Sequence, residues 1–341
     1  LDRPRRPPAT SALAAAPSSA IAHRVIMPPP EMRMTQAHTD AAAAPAGRLV
    51  RVDVQSGRTI ATERFGEPES PHVVLLHGGG QTRHAWRDTA QRIAERGFHA
   101  ITVDHRGHGD SDWHPDADYS FGGFTADIAH LVDTLDRPPV LVGASLGGIV
   151  SVIAASDRAA SAAPFCRGIV LVDVTPRLQV SGVARILEFM QAHPDGFASL
   201  DEAAAHVAEF LPHRTGPPSA AGLEKNLRRT DDGRYRWHWD PRMMGTAKVD
   251  PTRVRDAVES AFAADGDPWG RIRRLAVPLM LIRGRMSDVV SEEDARALLE
   301  AAPRTRYIDI AGAAHMVAGD RNDLFADAVI SFLETVGQGA T

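Results

Sequence analysis

Residues 137–158 read RPPVLVGASLGGIVSVIAASDR, and the fold turns on how that stretch divides. Residues 139–142 form a short apolar run, Gly143-Ala144-Ser145-Leu146-Gly147 follows at once, and residues 147–158 carry apolar side chains at helical spacing. A buried strand that passes directly into a helix leaves room only for a sharp turn. The side chains flanking its apex must then be small, as Gly143, Ala144 and Gly147 are. The serine at the apex projects from the carboxyl end of the sheet, at the mouth of a helix whose free amides favour negative charge. Gly-x-Ser-x-Gly alone is a common string; the strand before it and the helix after it give it weight.

The surrounding sequence repeats the same rhythm. Residues 49–54 and 59–65 alternate apolar and polar side chains around Ser56-Gly57, as an antiparallel hairpin does. Further strands are expected at 72–76, 98–103, 168–172, 277–283 and 305–310, with helices at 83–96, 123–135, 292–301 and 323–335. Strands alternating with helices at this spacing imply an α/β protein with a mostly parallel, doubly wound sheet. Between 177 and 270 the rhythm breaks: there are helical patterns at 183–192, 200–211 and 252–264 and an aromatic patch YRWHWD at 235–240, but no buried strand. The expected organisation is one core, residues 47–176 and 271–341, interrupted by a helical cap at 177–270. Residues 1–46 are rich in Pro, Ala and Ser without periodicity and read as a disordered tail. Arg5-Arg6 is followed at once by two prolines, which does not suit an export signal, and Met34 offers a second start that would leave residues 1–33 untranslated.

Composition narrows the class. The chain has 341 residues and a formal charge of −5, which gives no electrostatic reason to bind nucleic acid or an anionic membrane. No apolar run approaches the roughly 18–20 residues needed to span a bilayer. The single cysteine, Cys166, can form neither an internal disulfide nor a thiolate metal cluster, which fits a reducing, cytoplasmic setting. No metal or cofactor is expected, and the oligomeric state is not legible.

The chemistry gathers at the strand ends. A serine hydroxyl needs a base to take its proton. Of 15 histidines, His315 in Gly312-Ala313-Ala314-His315-Met316 follows the last expected strand at the same sheet edge as Ser145. His105 and His108, flanking Gly107, read as turn residues. The imidazole in turn needs a carboxylate to fix its tautomer. Asp288, in the loop after strand 277–283, is favoured; Asp173, directly after strand 168–172, is the competitor. A tetrahedral oxyanion would need two donors, expected at the backbone N–H groups of Leu146 and of Gly79 in His77-Gly78-Gly79-Gly80. Trp86, Trp113, Trp237 and Trp239 are candidate substrate contacts.

Taken together, HGGG at 77–80, DHRGHGDSD at 104–112, GASLGG at 143–148, RGRMSD at 283–288 and GAAHMVAGD at 312–320 resemble the α/β-hydrolase fold superfamily over residues 49–336. They look closest to the bacterial branch of esterases, lactonases and cofactor-free perhydrolases, the non-haem haloperoxidases. The resemblance implies a Ser145–Asp288–His315 triad, an oxyanion hole at Gly79 and Leu146, a helical cap and metal-free hydrolysis of small-molecule esters or lactones through an acyl-enzyme. Serine at 145 departs from the aspartate nucleophile of epoxide hydrolases and haloalkane dehalogenases, and Tyr235 is the cap's only tyrosine where epoxide hydrolases use two. C–C bond or amide hydrolysis and perhydrolysis are alternatives on the same residues, and a non-catalytic small-molecule receptor is the alternative from another class.

Overall fold

A computed structural model describes residues 24–26, 47–214, 220–245, 248–320 and 322–338. Its strands in chain order are β1 (Arg24–Ile26), β2 (Arg48–Val54), β3 (Arg58–Phe65), β4 (His72–Leu76), β5 (His99–Val103), β6 (Val140–Ala144), β7 (Gly168–Val172), β8 (Leu227–Arg229), β9 (Tyr235–Trp237), β10 (Leu279–Gly284) and β11 (Arg306–Ile310). The helices are α1 (Arg87–Glu95), α2 (Phe121–Asp133), α3 (Leu146–Asp157), α4 (Val180–Gln191), α5 (Leu200–Phe210), α6 (Ala220–Glu224), α7 (Pro251–Phe262), α8 (Gly270–Arg274), α9 (Glu292–Ala301), α10 (Val317–Asp320) and α11 (Asn322–Gln338).

One sheet runs in the order β1-β11-β10-β7-β6-β4-β5-β3-β2. It is parallel from β1 to β5, and only β3 and β2 are antiparallel, as the expected hairpin. Side-chain alternation along each strand sorts the apolar residues to two faces. Val74 and Leu76 of β4, Leu141 of β6 and Leu171 of β7 pack with Ile128 of α2 and Val150 of α3. Val73 and Leu75, Val142 and Val170 pack on the other face with Ile93 of α1 and Phe325 and Phe332 of α11. Full coverage explains why these strands read as unbroken apolar runs. The chain leaves β4 toward β5 on one side and reaches β6 on the other, so the strand order reverses there. A crevice outside the carboxyl ends of β4 and β6 is where such sheets bind ligands.

Residues 177–270 hold α4 to α7 and a small apolar core of their own around Phe197, Ala203, Val207 and Leu227. They also hold the two-stranded hairpin β8-β9, which the sequence reading did not anticipate. At three residues each, these strands are too short for a periodic signal. At the far edge, β1 pairs in parallel with β11 through Val25 and Asp309, so residues 24–26 depart from the expected disordered tail; apart from these, residues 1–46 lie outside the described residues. No described helix is long and apolar enough to cross a membrane.

Candidate active site

Ser145 stands between β6 and α3 with φ +45° and ψ −112°, a backbone conformation that side chains other than glycine seldom adopt. Residues 143 and 147, two positions to either side, are glycine for want of space. A Cβ on Gly143 would lie 2.3 Å from Gly147 C, and one on Gly147 would lie 2.3 Å from Leu76 O on β4. Ala144 pairs with Val172 across β6 and β7, so Ser145 and Asp173 leave adjacent strands at the same level. The Ser145 N–H donates to Val172 O at 3.2 Å.

His315 lies between β11 and α10. Its loop is carried over β10 by Met286 N–H, which donates to Ala313 O at 2.9 Å. A Cβ on Gly284 would stand 2.1 Å from Ala314 O, so a glycine there permits the approach. Asp320 Oδ2 accepts from Ala314 N–H at 2.9 Å and closes the loop from the other side.

The imidazole meets a carboxylate, and it is Asp173. His315 Nδ1 lies 2.7 Å from Asp173 Oδ2, which also accepts from Ser287 Oγ at 2.5 Å, while Asp173 Oδ1 accepts from Gly284 N–H at 3.2 Å. Asp173 is fully buried and the His315 side chain is 10% exposed. Asp288, the residue favoured from sequence, does not take that place. Its carboxylate is held bidentately by Arg185 of α4, with Nε–Oδ2 at 2.6 Å and Nη2–Oδ1 at 2.8 Å. Hydrogen bonding to this guanidinium holds the Asp288 pKa below the usual carboxylate value. The correction has a simple physical origin. Asp173 ends its strand and turns directly under the histidine, whereas Asp288 lies four residues past Gly284 and meets the cap first.

Both expected oxyanion donors sit beside Ser145. Leu146 is the first residue of α3, where the helix leaves its amides without internal acceptors. In the loop after β4, Gly78 N–H donates to Gln81 Oε1 at 2.9 Å and Gly80 N–H to His108 Nε2 at 3.1 Å. Between them, Gly79 N–H has no hydrogen-bond partner among the described residues. A Cβ on Gly78 would lie 3.4 Å from Ser145 Cβ, which places the loop against the serine.

These groups line one cavity of about 560 Å³ between the core and residues of the cap. Ser145, His315, Gly79 and Leu146 reach it, roofed by Val183, Leu187, Phe189 and Met190 of α4 and by Phe210 of α5. Of the four tryptophans, Trp86 and Trp237 line the cavity. Trp86 is almost wholly buried, its ring 5.6 Å from that of Phe325. Trp239 packs behind Trp237, ring centroids 5.2 Å apart and nearly parallel, and Trp113 is 41% exposed on the surface; neither lines the cavity. Gln81, Phe189, Met190 and His84 were missed. The helical spacing of 183–192 announces an apolar face, but only the docked helix shows what that face covers.

Comparison with known proteins identifies the family. Residues 71–321 match the family model described as alpha/beta hydrolase fold. The chain is 30% identical over 301 residues to Esterase Rv0045c of Mycobacterium tuberculosis, covering 85% of this chain and 91% of the relative. A crystal structure of that esterase superimposes with a TM-score of 0.63 at 27% identity, over 85% of this chain and 93% of the other. The chain is also 26% identical over 285 residues to 2-(acetamidomethylene)succinate hydrolase of Mesorhizobium japonicum, covering 83% of this chain and 94% of the relative. A solved structure of an E-2-(acetamidomethylene)succinate hydrolase has a TM-score of 0.70 at 24% identity, over 84% of this chain and 99% of the other. With the family model spanning both halves of the core and an esterase relative aligned over most of its length, this chain is a hydrolase belonging to the α/β-hydrolase family.

Proposed function

We propose that the protein is a serine hydrolase of small carboxylic esters or lactones with apolar acyl groups, acting through an acyl-enzyme. The observation that carries the reading is that a strained serine elbow and the aspartate of the hydrogen-bonded pair His315–Asp173 leave two adjacent strand ends, with Ser145 and His315 lining one cavity. Ser145 Oγ attacks the carbonyl carbon while His315 Nε2 takes its proton; Asp173 holds Nδ1–H and stabilises the imidazolium. Charge developing on the carbonyl oxygen is met by the N–H groups of Gly79 and Leu146. His315 returns the proton to the leaving alcohol, then activates the water that releases the acid.

The cavity supports the substrate class. Its described lining contains no aspartate or glutamate and is dominated by Leu, Val, Ile, Met and Phe. A cationic acyl group would be desolvated there without a counter-charge, so neutral or anionic apolar esters fit better. The relative named for 2-(acetamidomethylene)succinate supports a second reading, amide hydrolysis on the same residues, since that named substrate carries an acetamido group.

A fluorophosphonate probe tests the reading directly. Ser145 is expected to be labelled in the folded protein, and Ser145→Ala is expected to lose both labelling and turnover of a p-nitrophenyl ester panel. Absence of labelling in the parent protein would favour a small-molecule receptor instead.

A further inference from the structure

The oxyanion loop is held by a second loop that the proposed chemistry does not use. In a trans peptide the carbonyl and the following N–H point to opposite sides of one rigid plane. Whatever fixes Gly78 C=O therefore aims Gly79 N–H. That carbonyl accepts from Gln81 N–H at 3.2 Å and from His77 Nδ1 at 2.7 Å, and His77 Nε2 accepts in turn from His105 N–H at 3.1 Å. The next peptide plane is fixed by Gly80 N–H donating to His108 Nε2 at 3.1 Å. His108 Nδ1 donates to Arg106 O at 3.0 Å, so the tautomer leaves Nε2 as the acceptor. Residues 105–108 thus grip two consecutive peptides of the oxyanion loop.

The same segment is joined to the cap. His108 pairs with Trp239 in an antiparallel bridge, flanked by Gly109 N–H donating to His238 O at 2.7 Å and Asp240 N–H donating to Gly107 O at 2.8 Å. His108 is completely buried between the two contacts. On the cap's other side, a Cβ on Gly80 would lie 3.0 Å from the Met190 methyl of α4, so the loop has cap against it there as well.

From this junction we infer that His108 is a positioning residue for the oxyanion hole, and that residues 105–109 make the aim of Gly79 N–H depend on the seating of the cap segment 238–240. The inference rests on the serine-hydrolase reading and extends it: the cap does more than roof the acyl cavity, because its seating sets the efficiency of the first chemical step. Burial, followed by the neighbouring His77, lowers the His108 pKa to about 3, which keeps the Nε2 lone pair available near neutral pH.

Two pairs of variants test it in the full chain, by ester kinetics and by inhibition with a phenylboronic acid, which forms a tetrahedral adduct on the serine. His108→Phe keeps a planar ring but offers no acceptor. It is expected to lower kcat on the order of ten- to a hundredfold with KM within about threefold, and to weaken boronate inhibition in parallel. His108→Gln, with an amide oxygen as acceptor, is expected to recover most of the loss. At the cap, residue 240 has φ −72°, so Asp240→Pro fits the backbone while deleting the N–H given to Gly107, and Asp240→Ala keeps that N–H. Asp240→Pro is expected to lower kcat at least about threefold further than Asp240→Ala. This second pair carries the test if His108→Phe does not fold. A folded His108→Phe with parental kcat, a loss that His108→Gln does not restore, a KM that rises in proportion, or equal kcat for the two residue-240 variants each overturns the inference. A parent protein that neither turns over esters nor takes up the fluorophosphonate overturns the serine-hydrolase reading itself, a result distinct from all of these.

Discussion

Two neighbouring parallel strands, β7 and β10, each end in a loop bearing an aspartate, and the two carboxylates have different partners. Asp173 follows β7 without a spacer, is sealed from solvent, and receives the His315 imidazole, a serine hydroxyl and a backbone amide. Asp288 sits out on the loop after β10, with its side chain 38% exposed, and is bound by Arg185 of the cap. A carboxylate that orients a histidine must be fixed and dry, because its value lies in holding one tautomer in one place. A carboxylate that ties an inserted segment to the core can be wetter, because an exposed ion pair contributes little energy but still selects a geometry. The loop after β10 serves the first carboxylate as well as bearing the second: its Ser287 Oγ is one of the donors that hold Asp173.

Breaking each carboxylate in turn should expose the difference. Asp173→Asn is expected to lower kcat about 10⁴-fold with the fold intact, by analogy of role with an amide that stabilises the wrong tautomer. Asp288→Asn in the same assay is expected to stay within about threefold of the parent. The reverse pattern would return the acid role to Asp288. Gly284→Ala drives a Cβ into Ala314 O, so a loss of about 1–3 kcal/mol in thermal stability and a displaced His315 are expected. A parental melting temperature would mean that the histidine loop has room to move. Ser287→Ala removes one charged-acceptor hydrogen bond from Asp173, and kcat is expected to fall by about tenfold with KM steady. Smallest is the cap tie. An Arg185–Asp288 double-mutant cycle in urea unfolding is expected to give less than about 1 kcal/mol, since both side chains are more than a third exposed. Because the folded-state pKa of Asp288 is lowered, this contribution is present above the ordinary carboxylate value and is lost as pH falls through the lowered one. A coupling that grew on acidification would contradict the pairing.

Much of the core was legible because its signals are local. Residues 72–76, 168–172 and 292–301 have the bounds expected from apolar runs and the spacing of apolar side chains, and the others shift by a few residues at their ends. The serine turn could be read from small flanking side chains set between an apolar strand and a helical pattern. The hairpin β8-β9 was not legible, being shorter than any period that could announce it. His108 was read as a turn residue, and its turn is real; its imidazole acts on a glycine 28 positions away, which spacing cannot report. The choice between Asp173 and Asp288 failed for a related reason. Both residues satisfy the same local pattern, an acid after a strand, and the guanidinium that separates them comes from a helix 103 positions earlier than Asp288.

By itself, the sequence determined that a mostly parallel sheet presents Ser145 at a glycine-lined apex, with His315 at the same edge and glycine amides nearby, because strand and helix periods and the steric demand of a tight turn are properties of adjacent residues. Only the tertiary structure decided which carboxylate faces the imidazole, which tryptophans reach the cavity and what holds the loop after β4. Those choices rest on hydrogen-bond directions and on the competition between partners far apart in the chain, and such competition is settled only when the strands lie side by side and the cap is in place.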